Sequence, residues 1–528
     1  MKQLVFLIFL VFISCQDNEN KSDLPVMGDL PLGDYPVGFK TVFTYDPSKN
    51  AVPFADWDGN LFAENLPEKG RQFQINIWYP AEKRSGDPLK YSDYVDLMGR
   101  QTNFKESEEQ DLFARDLFIS QTRALGNLRK EEGDNQFTSE QLDQLLELDV
   151  LARLNAKAVD GQFPVVLYPN GGSPAYQSIS CEFLASHGYV AVAFVPKGRF
   201  SSGLEVSSIG LEVAVDDLEF VLGKISEEQV ADMNKVSILA NAIHSSVGAA
   251  AISRNEKIKA LISLEGGLPS AFEQSLLSES VFYQSEYIKV PILFIYSPHP
   301  SIDPEYTFHL KYSDRYYAFF PQMSEFVMLN YGMFDGFIPG ILGEHSGNTK
   351  TGFETANMLT LRFLNQKIKD EPGELFDASF VSSKTHIDTT FVLPGLPAPP
   401  NMAILKNHFM KDGMESIEKI YENLKMEGNS QPFSKDFYTD YRSWLAWQKD
   451  ENYDNRLRLY ELAYDSYPES ARINYYVAYY SMKRQKNEQA IKYYYRALAL
   501  LESDEELNAS EKSRLKNYAT EELGSLIN

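Results

Sequence analysis

The chain has 528 residues, 43% apolar and 23% charged, which excludes a largely disordered polymer and leaves room for three or four domain-sized units. Fifty Lys and Arg face 74 Asp and Glu, for a net charge of −24. Such a surface repels phosphate backbones and no basic stripe offsets it, so nucleic acid is excluded as a partner. The two cysteines, Cys15 and Cys181, cannot build a disulfide framework, and Cys181 reads as a buried free thiol.

The chain opens on Met1-Lys2, and residues 4–13 are almost wholly apolar. That is too short to cross a bilayer, which takes about twenty residues, and it reads as a secretory signal. Phe12-Ile13-Ser14-Cys15 resembles a bacterial lipobox. The resemblance implies lipidation of Cys15 and a place in the cell envelope, at the outer membrane on its periplasmic or surface side. Residues 16–32 are then a tether, and the membrane is contacted through the N-terminal lipid alone.

Segments 38–45 and 71–79 read as strands, the second half-buried because Phe73, Ile75, Ile77 and Tyr79 alternate with polar residues. Residues 103–157, charged and helical in spacing, read as an inserted helical cap. Unbroken apolar runs follow at 163–168, 190–195, 236–240, 260–264, 292–296 and 316–320. Such runs suit a parallel sheet buried on both faces, and the helical patterns between them, 212–225 for example, predict an α/β body over 33–385. Pro394, Pro397, Pro399 and Pro400 mark a linker, 386–400. Residues 401–528 read as all-α. There Leu459, Tyr460 and Ala463 recur 34 residues later as Tyr493, Tyr494 and Ala497. That period, with Pro468 closing the first copy and Glu502 in its place in the second, resembles a tetratricopeptide array. It implies a protein or peptide partner on the helical repeats.

Residues 33–370 resemble the α/β-hydrolase branch that holds platelet-activating-factor acetylhydrolase and the dienelactone-hydrolase-like esterases. The matching words are Val37-Gly38, Thr41, Asp46-Pro47-Ser48, Ile77-Trp78-Tyr79-Pro80-Ala81, the run from Pro164 to Gly172, and Leu184-Ala185-Ser186-His187-Gly188-Tyr189. The resemblance implies a serine esterase acting on a small ester or lipid-like ligand. Its nucleophile would stand on a G-x-S-x-G turn, an acid after the next strand and a histidine after the last.

This chain departs from that pattern at each place. No G-x-S-x-G exists. Matched by words, His244-Ser245-Ser246-Val247-Gly248 resembles the family's H-S-x-G-G and nominates Ser245, with Ser246 behind it, but Ile243 and Val247 then stand where the turn wants glycine. Matched by spacing, strand 236–239 runs into Ala240, and Ala242 takes the nucleophile's place; Glu265, 23 residues on, takes the acid's. Starting from Ser245, the following helix is three residues short, so spacing favours Ala242. After 316–320 the chain offers Ser324-Glu325 where the family has histidine, and a carboxylate ionised at neutral pH cannot cycle a proton as imidazole does.

Of the other histidines, His187 sits in a structural turn, His345 follows Gly343-Glu344 in a loop that could swing into the cleft as an unconventional base, and His299 and His309 read as surface or packing. His386 and His408 lie outside the family's site positions. Asn170-Gly171-Gly172, with Ser173, form the oxyanion loop, where backbone N–H groups are wanted. Glu182, Asp216 and Asp217 read as helix surface. No metal-ligand spacing and no phosphate loop is present, so no cofactor is expected. The expected protein has a degenerate catalytic triad and serves for binding. Its alternatives are an active esterase using Ser245, Glu265 and His345, and a helical adaptor that keeps the α/β body as a spacer.

Overall fold

The computed structural model describes residues 24–49, 54–55, 61–62, 69–101, 104, 106–128, 137–170, 173–199, 203–341, 349–384, 386–448 and 453–527, in two units that divide after Pro394. The first unit is built on one sheet. Its strands are β1 (Val37–Asp46), β2 (Arg71–Pro80), β3 (Asp87–Lys90), β4 (Asp149–Leu154), β5 (Phe163–Pro169), β6 (Val190–Phe194), β7 (Ala231–Asn241), β8 (Ile258–Leu264), β9 (Ile292–Tyr296), β10 (Arg315–Phe319) and β11 (Thr389–Leu393). They lie in the order β11-β10-β9-β8-β7-β5-β6-β2-β1-β4-β3. From β10 to β6 all neighbours are parallel; β2 and β11 run antiparallel to the strands beside them.

Apolar runs make these strands because both faces are covered. On β9, Leu293 and Ile295 enter one core while Ile292, Phe294 and Tyr296 enter the other. The first core is closed by α1 (Glu108–Leu128), α2 (Ser178–Ser186) and α5 (Thr349–Ile368), the second by α3 (Ser208–Ile225) and α4 (Ile243–Arg254). Ser207 starts α3 by accepting the Gly210 N–H at 3.0 Å. A parallel sheet wrapped on both faces, with a sharp strand-to-helix turn at its centre, is the α/β-hydrolase fold.

The second unit is all-α: α6 (Met402–Asp412), α7 (Met414–Met426), α8 (Lys435–Trp447), α9 (Asp454–Ser466), α10 (Ala471–Lys483), α11 (Asn487–Leu500) and α12 (Ala509–Ile527). The repeated residues serve its core, since Tyr460, Ala463, Tyr494 and Ala497 are all buried. Among the described residues no helix is long and apolar enough to cross a membrane.

Four sequence expectations are corrected. Residues 24–32 do not all belong to a tether: Val26, Met27 and Leu30 are fully buried in the core. The segment 103–157 is not wholly helical, because its last part is β4, parallel to β1. Residues 389–393 are no linker but β11, which pairs with the edge of β10. Strand β2 is buried on both faces rather than half-buried. Its polar residues are absorbed by hydrogen bonds, Asn76 to Ala193 O (3.4 Å) and Thr41 to Asn76 (3.1 Å) among them.

Candidate functional site

Strand β7 passes into α4 through one residue, Ala242, at φ 48° and ψ −133°. Backbone in this region costs a residue with a Cβ about 1–3 kcal/mol, and it is the conformation that lifts a side chain onto the crest of a strand-to-helix turn. The Ala242 N–H donates to Leu264 O (2.9 Å) and Glu265 O (2.8 Å), tying the turn to the end of β8. The residue two before the turn is the small, buried Ala240, but the residue two after it is His244. Room for the close approach comes from the neighbouring loop. Glu265, Gly266 and Gly267 all have positive φ, and a Cβ built on Gly267 would lie 2.4 Å from Ala242 O and 2.7 Å from Ser245 Cβ.

Ser245 lies in the first turn of α4, fully buried, its hydroxyl donating back to Ala240 O at 3.1 Å. Ser246 is also fully buried, and its hydroxyl meets no hydrogen-bond partner among the described residues. His244 is buried with Nε2 unpartnered, and burial pushes its pKa down to about 4, against a hydrogen bond to Asn241 backbone. It is therefore a neutral imidazole at physiological pH and a poor proton acceptor.

Glu265 follows β8 at φ 44° and is buried. One of its oxygens, Oε2, accepts the Ser297 hydroxyl at 2.8 Å and the Ser297 N–H at 3.3 Å. Ser297, at the end of β9, thus holds the carboxylate that a triad would turn toward histidine; no sequence signal marks it. After β10 come Ser324 and Glu325, the pair that the resemblance sets where a histidine is expected; the Ser324 hydroxyl is buried without a partner among the described residues. His345, Gly171, Gly172 and Cys15 lie outside the described residues. In the loop expected to serve an oxyanion, the Asn170 N–H is taken by Phe194 O (3.1 Å) and its side chain donates to Gln177 (2.9 Å), while Ser173 Oγ accepts the Ala175 N–H (3.2 Å).

The remaining histidines are engaged elsewhere or lie outside the turn. His187 Nδ1 contacts Phe183 O (2.9 Å), His309 meets the Tyr283 hydroxyl (2.6 Å), His299 is exposed, His386 is buried and His408 is exposed. At the turn itself the chain offers a methyl group, a carboxylate bound by Ser297 and two buried hydroxyls.

Two residues read as helix surface are core. Glu182 is 1% exposed and accepts from Tyr94 OH (2.6 Å) and the N–H groups of Leu151 and Ala152; burial raises its pKa to about 7. Asp217 is fully buried on α3. It pairs with Arg71, takes Lys49 Nζ at 3.0 Å and the Lys197 N–H at 2.7 Å. Lys197, 6% exposed, reaches Gln101 O at 3.3 Å, and burial lowers its pKa to about 8. Asp216 beside it is partly exposed, 3.6 Å from Lys49. Cys181 is a buried thiol.

No family model and no curated protein matches the chain. Among solved structures it is similar to a ferulic acid esterase from Streptomyces cinnamoneus (16% identity, 67% of this chain and 96% of that one, TM-score 0.45). It is also similar to a puromycin-hydrolyzing peptidase of Mycobacterium tuberculosis (16% identity, 42% and 36%, TM-score 0.31) and an acylaminoacyl peptidase of Pyrococcus horikoshii (18% identity, 42% and 39%, TM-score 0.31). The chain spans well under half the length of either peptidase.

Proposed function

We propose that the chain is a lipid-anchored protein of the cell envelope whose α/β-hydrolase body binds a small ester or lipid-like ligand without turning it over. Its descent would lie in the acetylhydrolase and dienelactone-hydrolase-like branch, with the nucleophile and the histidine both replaced. The tetratricopeptide-like helices 401–528 would dock a protein or peptide partner. One observation carries the reading: the side chain at the crest of the β7–α4 turn is the methyl group of Ala242. Ser245, the alternative nucleophile, is one helical turn away with its hydroxyl spent on Ala240 O. A methyl group cannot attack an ester carbonyl, and a buried hydroxyl bonded to Ala240 O, with the neighbouring His244 ring a weak base at about 4, is not activated to do so.

The test is hydrolysis of a p-nitrophenyl ester series, acetate to octanoate, by the full chain and by Ser245→Ala. Equal, background rates for both support the reading. Turnover that disappears in Ser245→Ala restores the esterase alternative.

A further inference from the structure

The loop that follows β9 opens a groove of about 640 Å³, a volume typical of small-ligand sites. Its apolar lining includes Tyr296, Phe319, Ile302 and Pro298, and its polar lining includes His299 and Asp388. The two rings are 5.4 Å apart and tilted by 47°. Burial pushes the Tyr296 phenol up to about 12, so this ring is uncharged. The groove is preformed. Ile302 pairs with Ser270, the Asp303 N–H donates to Pro269 O at 2.7 Å, and the Asp388 N–H donates to Phe319 O at 3.0 Å. Each wall is therefore tied to a strand end or to the loop after β8.

The charge of the lining selects the ligand. Among the described residues lining it there is no Lys or Arg; Asp388 is the one carboxylate, exposed at the rim. An anion would meet that carboxylate and a chain of net charge −24 with nothing to compensate it. A cation instead finds two aromatic rings in the lining, whose π-systems attract positive charge, and a carboxylate in the same groove. We propose that this groove binds a small organic cation, its ammonium set against the faces of Tyr296 and Phe319 and paired with Asp388. The site uses neither Ala242 nor Ser245, so it stands whether or not the body is catalytically silent.

The experiment is isothermal titration of the full chain with benzyltrimethylammonium, benzyl alcohol and phenylacetate. The cation is expected to bind about two- to fivefold more tightly than the alcohol and to weaken with added salt, while phenylacetate gives no heat. Asp388→Asn, an exposed change that leaves the melting temperature in place, is expected to weaken the cation about two- to fivefold and the alcohol not at all. No binding of the cation, equal affinity for cation and alcohol, or a cation affinity unmoved by Asp388→Asn overturns the proposal.

Discussion

At the carboxyl ends of β6 and β7 the same sheet carries two buried polar corners of opposite construction. Beside β6, Asp217 pairs with Arg71 and Lys49 and accepts the Lys197 N–H, while the Lys197 ammonium meets the Gln101 carbonyl. At the end of β7 the backbone keeps the high-energy shape of a nucleophile turn, yet Ala242, His244 and Ser245 supply a methyl, a neutral ring and a spent hydroxyl. In the first corner the Asp217 carboxylate offsets the charges of buried Arg71 and half-buried Lys49. In the second, a strained backbone carries neutral side chains, those of His244 and Ser245 buried. The difference separates a corner held by charge pairing from one held by backbone geometry.

Three comparisons sharpen this contrast. The largest effect belongs to the charged corner. Asp217→Ala leaves Arg71 buried without its counter-charge and is expected to cost about 3–5 kcal/mol in urea unfolding, whereas Ser245→Ala costs about 1 kcal/mol. Comparable losses would make the two corners energetically alike.

The second is a pair of opposed pH dependences. Below about pH 6.5 an unfolded His244 takes up a proton that the native ring, at about 4, refuses, so native stability falls as pH drops from 6.5 to 4. Glu182 works the other way: between 4.5 and about 7 the unfolded carboxyl loses a proton the native one keeps, so stability falls as pH rises. Each is expected to be worth up to about 3 kcal/mol, nearly cancelling in the parent chain. His244→Gln should expose a decline in stability from pH 4.5 to 7, and Glu182→Gln a rise from pH 4 to 6.5. Parallel stability curves for the two variants would refute the assignment.

The smallest effect is local. Ala242→Gly relieves the positive φ and is expected to stabilise by about 1 kcal/mol, read as a higher urea midpoint at unchanged m-value. Gly267→Ala should destabilise, since its new Cβ would press on Ala242 O. A destabilised Ala242→Gly would mean that the turn is not strained.

The central strands were legible because unbroken apolar runs admit little besides a doubly covered sheet. Strand β4 was hidden because Asp149–Leu154 follows a charged, helix-patterned stretch, and β11 because a proline cluster just beyond it reads as linker. At the candidate site, the interval from Ala242 to Glu265 was readable because both residues follow directly on strands, β7 and β8. The burial of His244 was not, since a histidine beside two serines has the look of a polar segment. Asp217 escaped for a physical reason: its partners Arg71 and Lys49 are remote in sequence, and only the fold tells it apart from the half-exposed Asp216 next to it.

The central claim is that no activated hydroxyl stands at the β7–α4 turn. It is tested most directly by incubating the full chain with a fluorophosphonate probe and weighing the intact protein. An unchanged mass is the outcome expected. A single adduct, mapped by peptide digestion to Ser245 or Ser246 and blocked by prior ester substrate, would contradict it.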